Sequence, residues 1–374
     1  MWKVLDSWIQ RYFANEEAVL LSLLMLASLV VVFTLSDVLA PFLAALVFAF
    51  LLQGAVTRLK RWHLPHTVAV MLVFVCFVGA FLLAVIFLMP IVIEQSANLL
   101  AEMPRMLRKW QAAVLLLPEQ YPQFISEQRL AELMQYVTSE SSRVAEAALS
   151  FSLNKFANLI GILVYLILVP LLVFFMLKDK DQLGRSLSEL LPRERPVMNQ
   201  VWLEMNIQMA NYVRGKAIEI LIVGASTYVS FKLLGVNYAA LLGLLVGLSV
   251  VIPYIGAAVV TIPVLLIGYF QWGSSTEFLW LFIVYMTIQV LDGNVLVPLL
   301  FSEAVNLHPI AIILAVLLFG GIWGVWGLFF AIPLATLIKA LYNAWPRNED
   351  EFEATLDEAV SFDDDDQLVV ELEN

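Results

Sequence analysis

The chain has 374 residues, of which 61% are hydrophobic and only 14% charged, and its mean hydropathy is +0.86. A soluble globular domain carries about a quarter charged residues, so this composition excludes an ordinary soluble domain and indicates a polytopic membrane protein. The net charge of −11 arises in the C-terminal tail. Twelve of the 32 acids lie between Glu349 and Asn374, which leaves 20 acids against 21 bases in the body of the chain.

The first 17 residues predict an amphipathic helix that lies on the cytoplasmic membrane surface. Their large apolar side chains recur at helical spacing, at Trp2, Leu5, Trp8, Ile9, Tyr12 and Phe13. The apolar stretch that begins near Ala18 is too long for a signal-peptide core and has no small-residue cleavage pattern after it. We therefore expect a retained first span.

Long windows without charge predict the membrane spans, because an apolar helix needs about 20 residues to cross a bilayer. Residues 18–93 predict three spans, 156–177 a fourth and 217–234 a fifth. The later windows Leu233–Thr276 and Ala304–Ile338 have 44 and 35 residues without Asp, Glu, Lys or Arg, too long for single straight helices. We therefore predict an all-α transmembrane bundle of about eight spans, with broken or re-entrant segments near 238–271 and 310–342.

The basic loop Arg58–Arg61 sets the predicted orientation, because cytoplasmic loops are rich in Lys and Arg. Both termini are then cytoplasmic. Residues 94–155 form an external helical hairpin, and residues 178–216 form a cytoplasmic amphipathic linker with an apolar stripe. Residues 217–345 form the core transport region and residues 346–374 an acidic, disordered cytoplasmic tail. The sides on which 273–277 and 302–308 lie depend on whether each long window crosses once or twice.

Asp292 is the most informative residue, since it is the one charged residue in the otherwise apolar run Phe278–Leu300. A carboxylate at membrane depth is costly and usually faces a polar path. Helix-breaking or polar residues surround it, which is tolerable where a chain lines a cavity. They are Gln289, Gly293, Asn294 and Pro298. Gln289 and Asp292 lie three residues apart, so they share a helix face. The alternative is a buried Asp that holds the bundle together.

A second motif, Pro253-Tyr254-Ile255-Gly256, interrupts the first long window. Proline removes a helical hydrogen bond and frees a carbonyl group, which in transporters often binds an ion or a polar substrate. The alternative is a kink packed against its neighbours. Two pairs of glycines, Gly243 with Gly247 and Gly320 with Gly324, also predict close helix packing.

Two further titratable residues are candidates for the path. Glu219 follows Arg214 and Lys216 at the entry to the fifth span, where it either pairs with one of these bases or faces a cavity. His308 precedes Pro309. It either titrates near neutral pH and takes part in proton transfer, or it is an ordinary loop residue before a helix.

Several motifs of catalysis are absent from the sequence. It has no Walker A motif, no His-Glu-x-x-His and no Gly-x-Ser-x-Gly, and three His residues are few for a metal site. We expect no enzyme activity, no cofactor, no bound metal and no nucleic-acid partner.

Taken together, these motifs resemble the autoinducer-2 exporter family and, within it, the PerM branch. The resemblance covers about residues 10–345 and rests on motifs in the family's order: Ile252–Gly256, Gln289–Pro298, Leu307-His308-Pro309, the glycines of 320–327 and Ile332-Pro333. It implies a bacterial inner-membrane protein of about eight spans that exports the signalling molecule autoinducer-2, while other members exchange cations for protons. Homo-oligomers are compatible with it. Asp292 stands where the family commonly has Glu, and Lys216 where it commonly has Gln.

Three functional hypotheses follow. The first is a secondary transporter that exports a small hydrophilic solute, with Asp292 as the ionisable group and the segment around Pro253 as a hinge. The second is a cation/proton antiporter that uses the same residues. The third is a membrane scaffold that acts through the external hairpin and the acidic tail. Besides the solute or cation, the lipid bilayer is the expected partner.

Overall fold

The computed structural model describes residues 16–115, 155–189, 191–192, 195–301 and 307–344, and every element within them is helical. Three predicted segments lie largely or wholly outside the described residues: the surface helix, the outer part of the external hairpin and the acidic tail. The scaffold hypothesis depends on the last two of these. In chain order the elements are α1 (Glu16–Thr34), α2 (Ser36–Arg61), α3 (His66–Leu115), α4 (Lys155–Lys178), α5 (Lys180–Glu189), α6 (Pro196–Leu234), α7 (Ala239–Ser249), α8 (Ile255–Trp272), α9 (Thr276–Leu291), a π-helical turn (Asp292–Leu296), α10 (Val297–Phe301) and α11 (Pro309–Ala344).

The architecture confirms the predicted all-α membrane bundle. In the described part of the chain, six helical segments are long and apolar enough to cross a membrane, namely α2, α3, α6, α8, Thr276–Phe301 and α11. Apolar segments in α1, α4 and α7 are shorter. Many of their large apolar side chains are exposed, as expected for helices that face lipid.

Two helices run past the ends of the predicted spans. Helix α3 continues without a break for 50 residues through Pro90 and Pro104, which gives a length of about 75 Å, far more than the roughly 30 Å hydrocarbon core. Helix α6 joins the predicted cytoplasmic linker to the predicted fifth span in one rod of 39 residues. The sequence of α6 contains no proline after Pro196, so nothing local ends the helix at the membrane surface.

The first long window folds into a helical hairpin made of α7 and α8. Helix α7 has 11 residues, about 16 Å, so it is too short to cross the bilayer. It packs tightly along α6, where a Cβ on Gly247 would come within 2.8 Å of the Gly224 Cα. Helix α8 then returns, and the Gln271 amide donates a 2.7 Å hydrogen bond to the Gly235 carbonyl. The hairpin therefore starts and ends on the same side of the bundle.

The second long window forms another hairpin, within α11. The backbone leaves the helical region at Gly324, whose φ of 58° favours glycine, and the chain folds back on itself. Gly327 then lies so close to the Phe319 carbonyl that a Cβ would overlap it. Ala315, Val316 and Ala331 meet in one buried cluster across the two arms. The broken segments predicted near 238–271 and 310–342 are confirmed.

The two hairpins enter the bundle from opposite ends. The first begins beside Gly235 on α6, whereas the second follows Phe301, whose ring lies against Gly215. Gly215 and Gly235 are 20 residues apart on α6, about 30 Å. The loop at 273–275 and Phe301 therefore lie at opposite ends of this stretch of α6. The turn of the first hairpin still reaches the second, because Ile252 packs against the buried cluster of α11.

Candidate functional site

A buried ion pair on α6 lies beside the end of the first hairpin's α7 and the end of α10. Lys216 and Glu219, one turn apart on α6, form a salt bridge of 2.8 Å. The two residues are only 5% and 1% exposed. A buried charge without a partner is very costly, so each residue needs the other to remain charged at this position. The pairing predicted for Glu219 is therefore present, and its partner is Lys216. Arg214 is exposed and bonds to its own helix instead.

Lys216 also ties three elements together. Its ammonium group donates a 2.7 Å hydrogen bond to the Val250 carbonyl at the end of α7. It also lies 5.1 Å from the centroid of the Phe301 ring at the end of α10, a cation–π contact. Gly215 permits this approach, since a Cβ there would come within 2.6 Å of a Phe301 ring carbon. One lysine thus links α6, the first hairpin and the membrane-spanning segment that carries Asp292.

The turn of the first hairpin contains the predicted Pro253, Tyr254 and Gly256. Tyr254 has a φ of 61°, a conformation that is costly for a non-glycine residue and occurs preferentially at functional sites. Gly256 is buried, and a Cβ on it would overlap the Ser249 carbonyl, so the turn closes only with glycine here. The carbonyl freed by the break at Val250 is the one that accepts from Lys216, so an internal cation takes the place expected for an ion or substrate.

Asp292 begins the π-helical turn, where the Val297 N–H bonds to the Asp292 carbonyl five residues back. Single π-turns inside α-helices are frequent at functional sites because they re-aim side chains and loosen the hydrogen-bond ladder. Gly293 has open space around it, and the Asn294 amide donates to the Val290 carbonyl at 2.9 Å. The predicted polar residues therefore lie where the α-helical hydrogen bonding is interrupted, within the membrane-spanning segment.

Gln289 and Asp292 each present a buried polar atom without a hydrogen-bond partner among the described residues. These atoms are the Gln289 Nε2, a donor, and the Asp292 Oδ1, an acceptor. Buried polar groups are satisfied in most proteins, so each exception calls for a physical explanation. Asp292 also interacts electrostatically with both Lys216 and Glu219. Asp292 thus forms one polar region with the buried ion pair, and Gln289 lies three residues before it in the same membrane-spanning segment.

Two predicted residues lie outside this region. Pro298 is exposed on the short helix α10. His308 is exposed at the start of α11, where its Nδ1 accepts from the Ile310 N–H at 3.3 Å and its carbonyl accepts from Ala311 and Ile312. These local contacts are those of a helix start, and within the described chain nothing joins His308 to the ion pair.

The sequence did not predict several contacts of the site. It offered Lys216 as one of two possible partners for Glu219, but the burial of Lys216 and its contact with Val250, 34 residues away, are seen only in the structure. Tyr212 is buried too, and its hydroxyl donates to the Phe329 carbonyl in α11 at 3.0 Å. The described residues contain no group of three or more His, Cys, Asp or Glu that could hold a metal ion.

A bundle with two helical hairpins, a π-turn and a buried polar region defines a polytopic membrane protein, and the comparisons with known proteins agree. The model of the family described as "AI-2E family transporter" matches residues 20–347. The chain therefore belongs to the AI-2E transporter family, a family of permeases, and the predicted resemblance is confirmed.

Individual relatives extend this result. The chain is 46% identical over 346 residues to the "Putative permease PerM" of Escherichia coli (strain K12), which covers 92% of this chain and 98% of the relative. It is 26% identical over 313 residues to the "Putative transport protein YueF" of Bacillus subtilis (strain 168), with 80% of this chain and 84% of the relative covered. It is 24% identical over 312 residues to the "AI-2 transport protein TqsA" of Escherichia coli (strain K12), with 81% and 85% covered.

Proposed function

We propose that this protein is a secondary transporter of the bacterial inner membrane that exports a small hydrophilic solute, similar to autoinducer-2 in size and polarity. The observation that best supports this proposal is the pair Gln289 and Asp292. They present an unpartnered donor and an unpartnered acceptor on one face of a membrane-spanning segment. A solute rich in hydroxyl groups supplies both complements, because a hydroxyl donates to a carboxylate and accepts from an amide.

The arrangement of the hairpins supports a transporter. In many transporters, discontinuous helices meet near the middle of the bilayer and their ends form the substrate site. Here the turn of the first hairpin contacts the second hairpin through Ile252 and contacts α6 through the Val250 carbonyl. Since the hairpins enter from opposite ends, a movement of one against the other would open the polar region to each side in turn.

The test is uptake of autoinducer-2 by purified protein in liposomes, with wild type beside Asp292→Asn. Loss of a hydrogen bond to a charged group costs about 1.5–3 kcal/mol, so we expect flux to fall by roughly 10- to 100-fold. Glu277→Gln is the matched control, because it removes a carboxylate from the other, exposed end of the same segment. Normal flux through a folded Asp292→Asn protein would contradict the role of Asp292. No flux through wild type would reject autoinducer-2 as the cargo.

A cation/proton antiporter is the second candidate, and the clustering of two carboxylates favours it. Glu219 and Asp292 interact electrostatically with each other and with Lys216. In such a group, binding of one proton or one cation changes the net charge. Liposomes with a pH-sensitive dye inside test it. An antiporter gives a pH change when Na⁺ or K⁺ is added outside, and Glu219→Gln and Asp292→Asn each abolish the change. A constant internal pH with wild type argues against this candidate.

A further inference from the structure

A large cavity opens between α2, α4, α5 and α6, and neither Lys216 nor Glu219 lines it. Its volume is ≈ 1140 Å³, and most of its surface is apolar. Much of its lining consists of aliphatic and aromatic side chains, among them Phe42, Leu46, Phe50, Leu172 and Phe175. A cavity with such walls takes an apolar occupant, because it offers few polar groups to hold water.

The charged side chains that line this cavity are all basic. They are Arg58, Arg61, Lys180 and Arg214, and no Asp or Glu is among the described lining residues. Arg214 is held in place, since its Nε donates to the Ala210 carbonyl at 2.9 Å and its Nη2 to the Asn211 Oδ1 at 2.8 Å. Four cations without a lining carboxylate favour an anionic group.

Along α2 the apolar part of the cavity is followed by its basic part, as the acyl chain of a lipid is followed by its head group. From Phe42 to Gly54 the helix rises by about 18 Å, close to the roughly 15 Å of one hydrocarbon leaflet. Arg58 and Arg61 come next, at the end that the positive-inside rule assigns to the cytoplasm. Trp202, exposed and lining the cavity on α6, is the residue type that concentrates at membrane interfaces.

We propose that this cavity binds an anionic phospholipid of the cytoplasmic leaflet. Its phosphate group lies among Arg58, Arg61, Lys180 and Arg214, where arginine binds phosphate oxygens with paired hydrogen bonds. An acyl chain lies along Phe42, Leu46 and Phe50. One lipid supplies both the anion and the chain that this cavity accommodates, and the surrounding leaflet delivers it. The proposal is independent of the identity of the transported solute.

The test is native mass spectrometry of the full-length protein in a neutral detergent, with added phosphatidylglycerol or phosphatidylcholine of the same acyl chains. We expect wild type to retain phosphatidylglycerol in preference to phosphatidylcholine. Arg58→Gln combined with Arg214→Gln should weaken phosphatidylglycerol retention by about 10-fold or more, since each basic residue near a lipid surface contributes to anionic-lipid binding. Arg58→Lys with Arg214→Lys should keep most of it. Arg105→Gln with Arg108→Gln is the matched control, because both residues are exposed on the distal part of α3.

A second variant tests the apolar part. Leu46→Trp narrows the apolar part of the cavity and should weaken retention of the phospholipid while the four basic residues remain.

Equal retention of the two lipids by wild type, or unchanged retention in the Arg58→Gln and Arg214→Gln variant, would overturn the proposal. Retention only after the chain is cut behind Arg347 would overturn it as well, because the basic residues would then bind the acidic tail. A dimer that Leu46→Trp dissociates would show that a second copy of the chain occupies the cavity.

Discussion

Lys216 is a buried cation that three kinds of interaction stabilise. It pairs with Glu219, donates to the Val250 carbonyl and lies over the Phe301 ring. These partners come from three separate elements of the bundle. The residue therefore contributes both to the charge balance of the site and to the position of the first hairpin.

Breaking this ion pair should destabilise the protein. Lys216→Met leaves Glu219 buried without its cation, which typically costs about 3–5 kcal/mol of stability. We expect a clear loss of thermal stability in detergent. The double variant Lys216→Met with Glu219→Met should recover much of that loss, because replacing a buried pair by apolar residues of similar volume is often close to neutral. If the double variant is as unstable as the single one, the pair itself is not the origin of the effect.

At the scale of elements, both hairpins close through a glycine that faces a backbone carbonyl. Gly256 faces the Ser249 carbonyl in the first, and Gly327 faces the Phe319 carbonyl in the second. Both contacts involve backbone, which cannot rotate away as a side chain can. The turns are therefore fixed by packing as well as by the prolines and the unusual backbone angles nearby.

This packing predicts opposite effects for two glycines of the same hairpin. Gly327→Ala places a methyl group against the Phe319 carbonyl and should cost about 1–3 kcal/mol, as overpacking does. Gly321→Ala meets nothing within 4 Å and should stabilise the helix by up to about 1 kcal/mol. Thermal unfolding of the two purified variants measures the difference. Equal unfolding temperatures would contradict the hairpin contact.

At the scale of the whole molecule, the sequence predicts the helices and the breaks better than their contacts. The absence of charge over 44 and 35 residues predicted that the two long windows are broken, folded back or crossed twice, because a single span is much shorter. The structure shows that both fold back as hairpins. Asp292 was identified for a similar reason, since a carboxylate in an apolar run is costly. The AI-2E family assignment rested on motifs of this local kind.

The remaining parts of the site depend on residues far apart in the chain. Lys216 meets Val250 across 34 positions, and Tyr212 meets Phe329 across 117. The periodicity of a sequence does not indicate which residues that are far apart in the chain come into contact. The lengths of α3 and α6 also exceeded the predicted spans, because hydropathy indicates where a helix leaves the membrane and does not indicate where it ends.

The opposed hairpins predict the sides of three loops. In a Cys76→Ser background, Trp62→Cys and His308→Cys should react with an impermeant maleimide from one side of the membrane and Ser274→Cys from the other. Trp62, Ser274 and His308 are all exposed, so the reagent reaches each of them. Reaction of Ser274→Cys and His308→Cys from the same side would show that the second hairpin does not oppose the first.

Water and solute should reach the Gln289 and Asp292 face of the helix, and cysteine labelling in liposomes tests this access directly. Gln289→Cys is compared with Val290→Cys in the Cys76→Ser background, using a small charged thiol reagent. Val290 is 58% exposed on a neighbouring face of the same helix, so it is a control matched in depth that faces lipid. We expect rapid labelling at position 289 and slow labelling at position 290. Equal, slow labelling at both positions would show that the site is dry, and would contradict a transport path through Asp292.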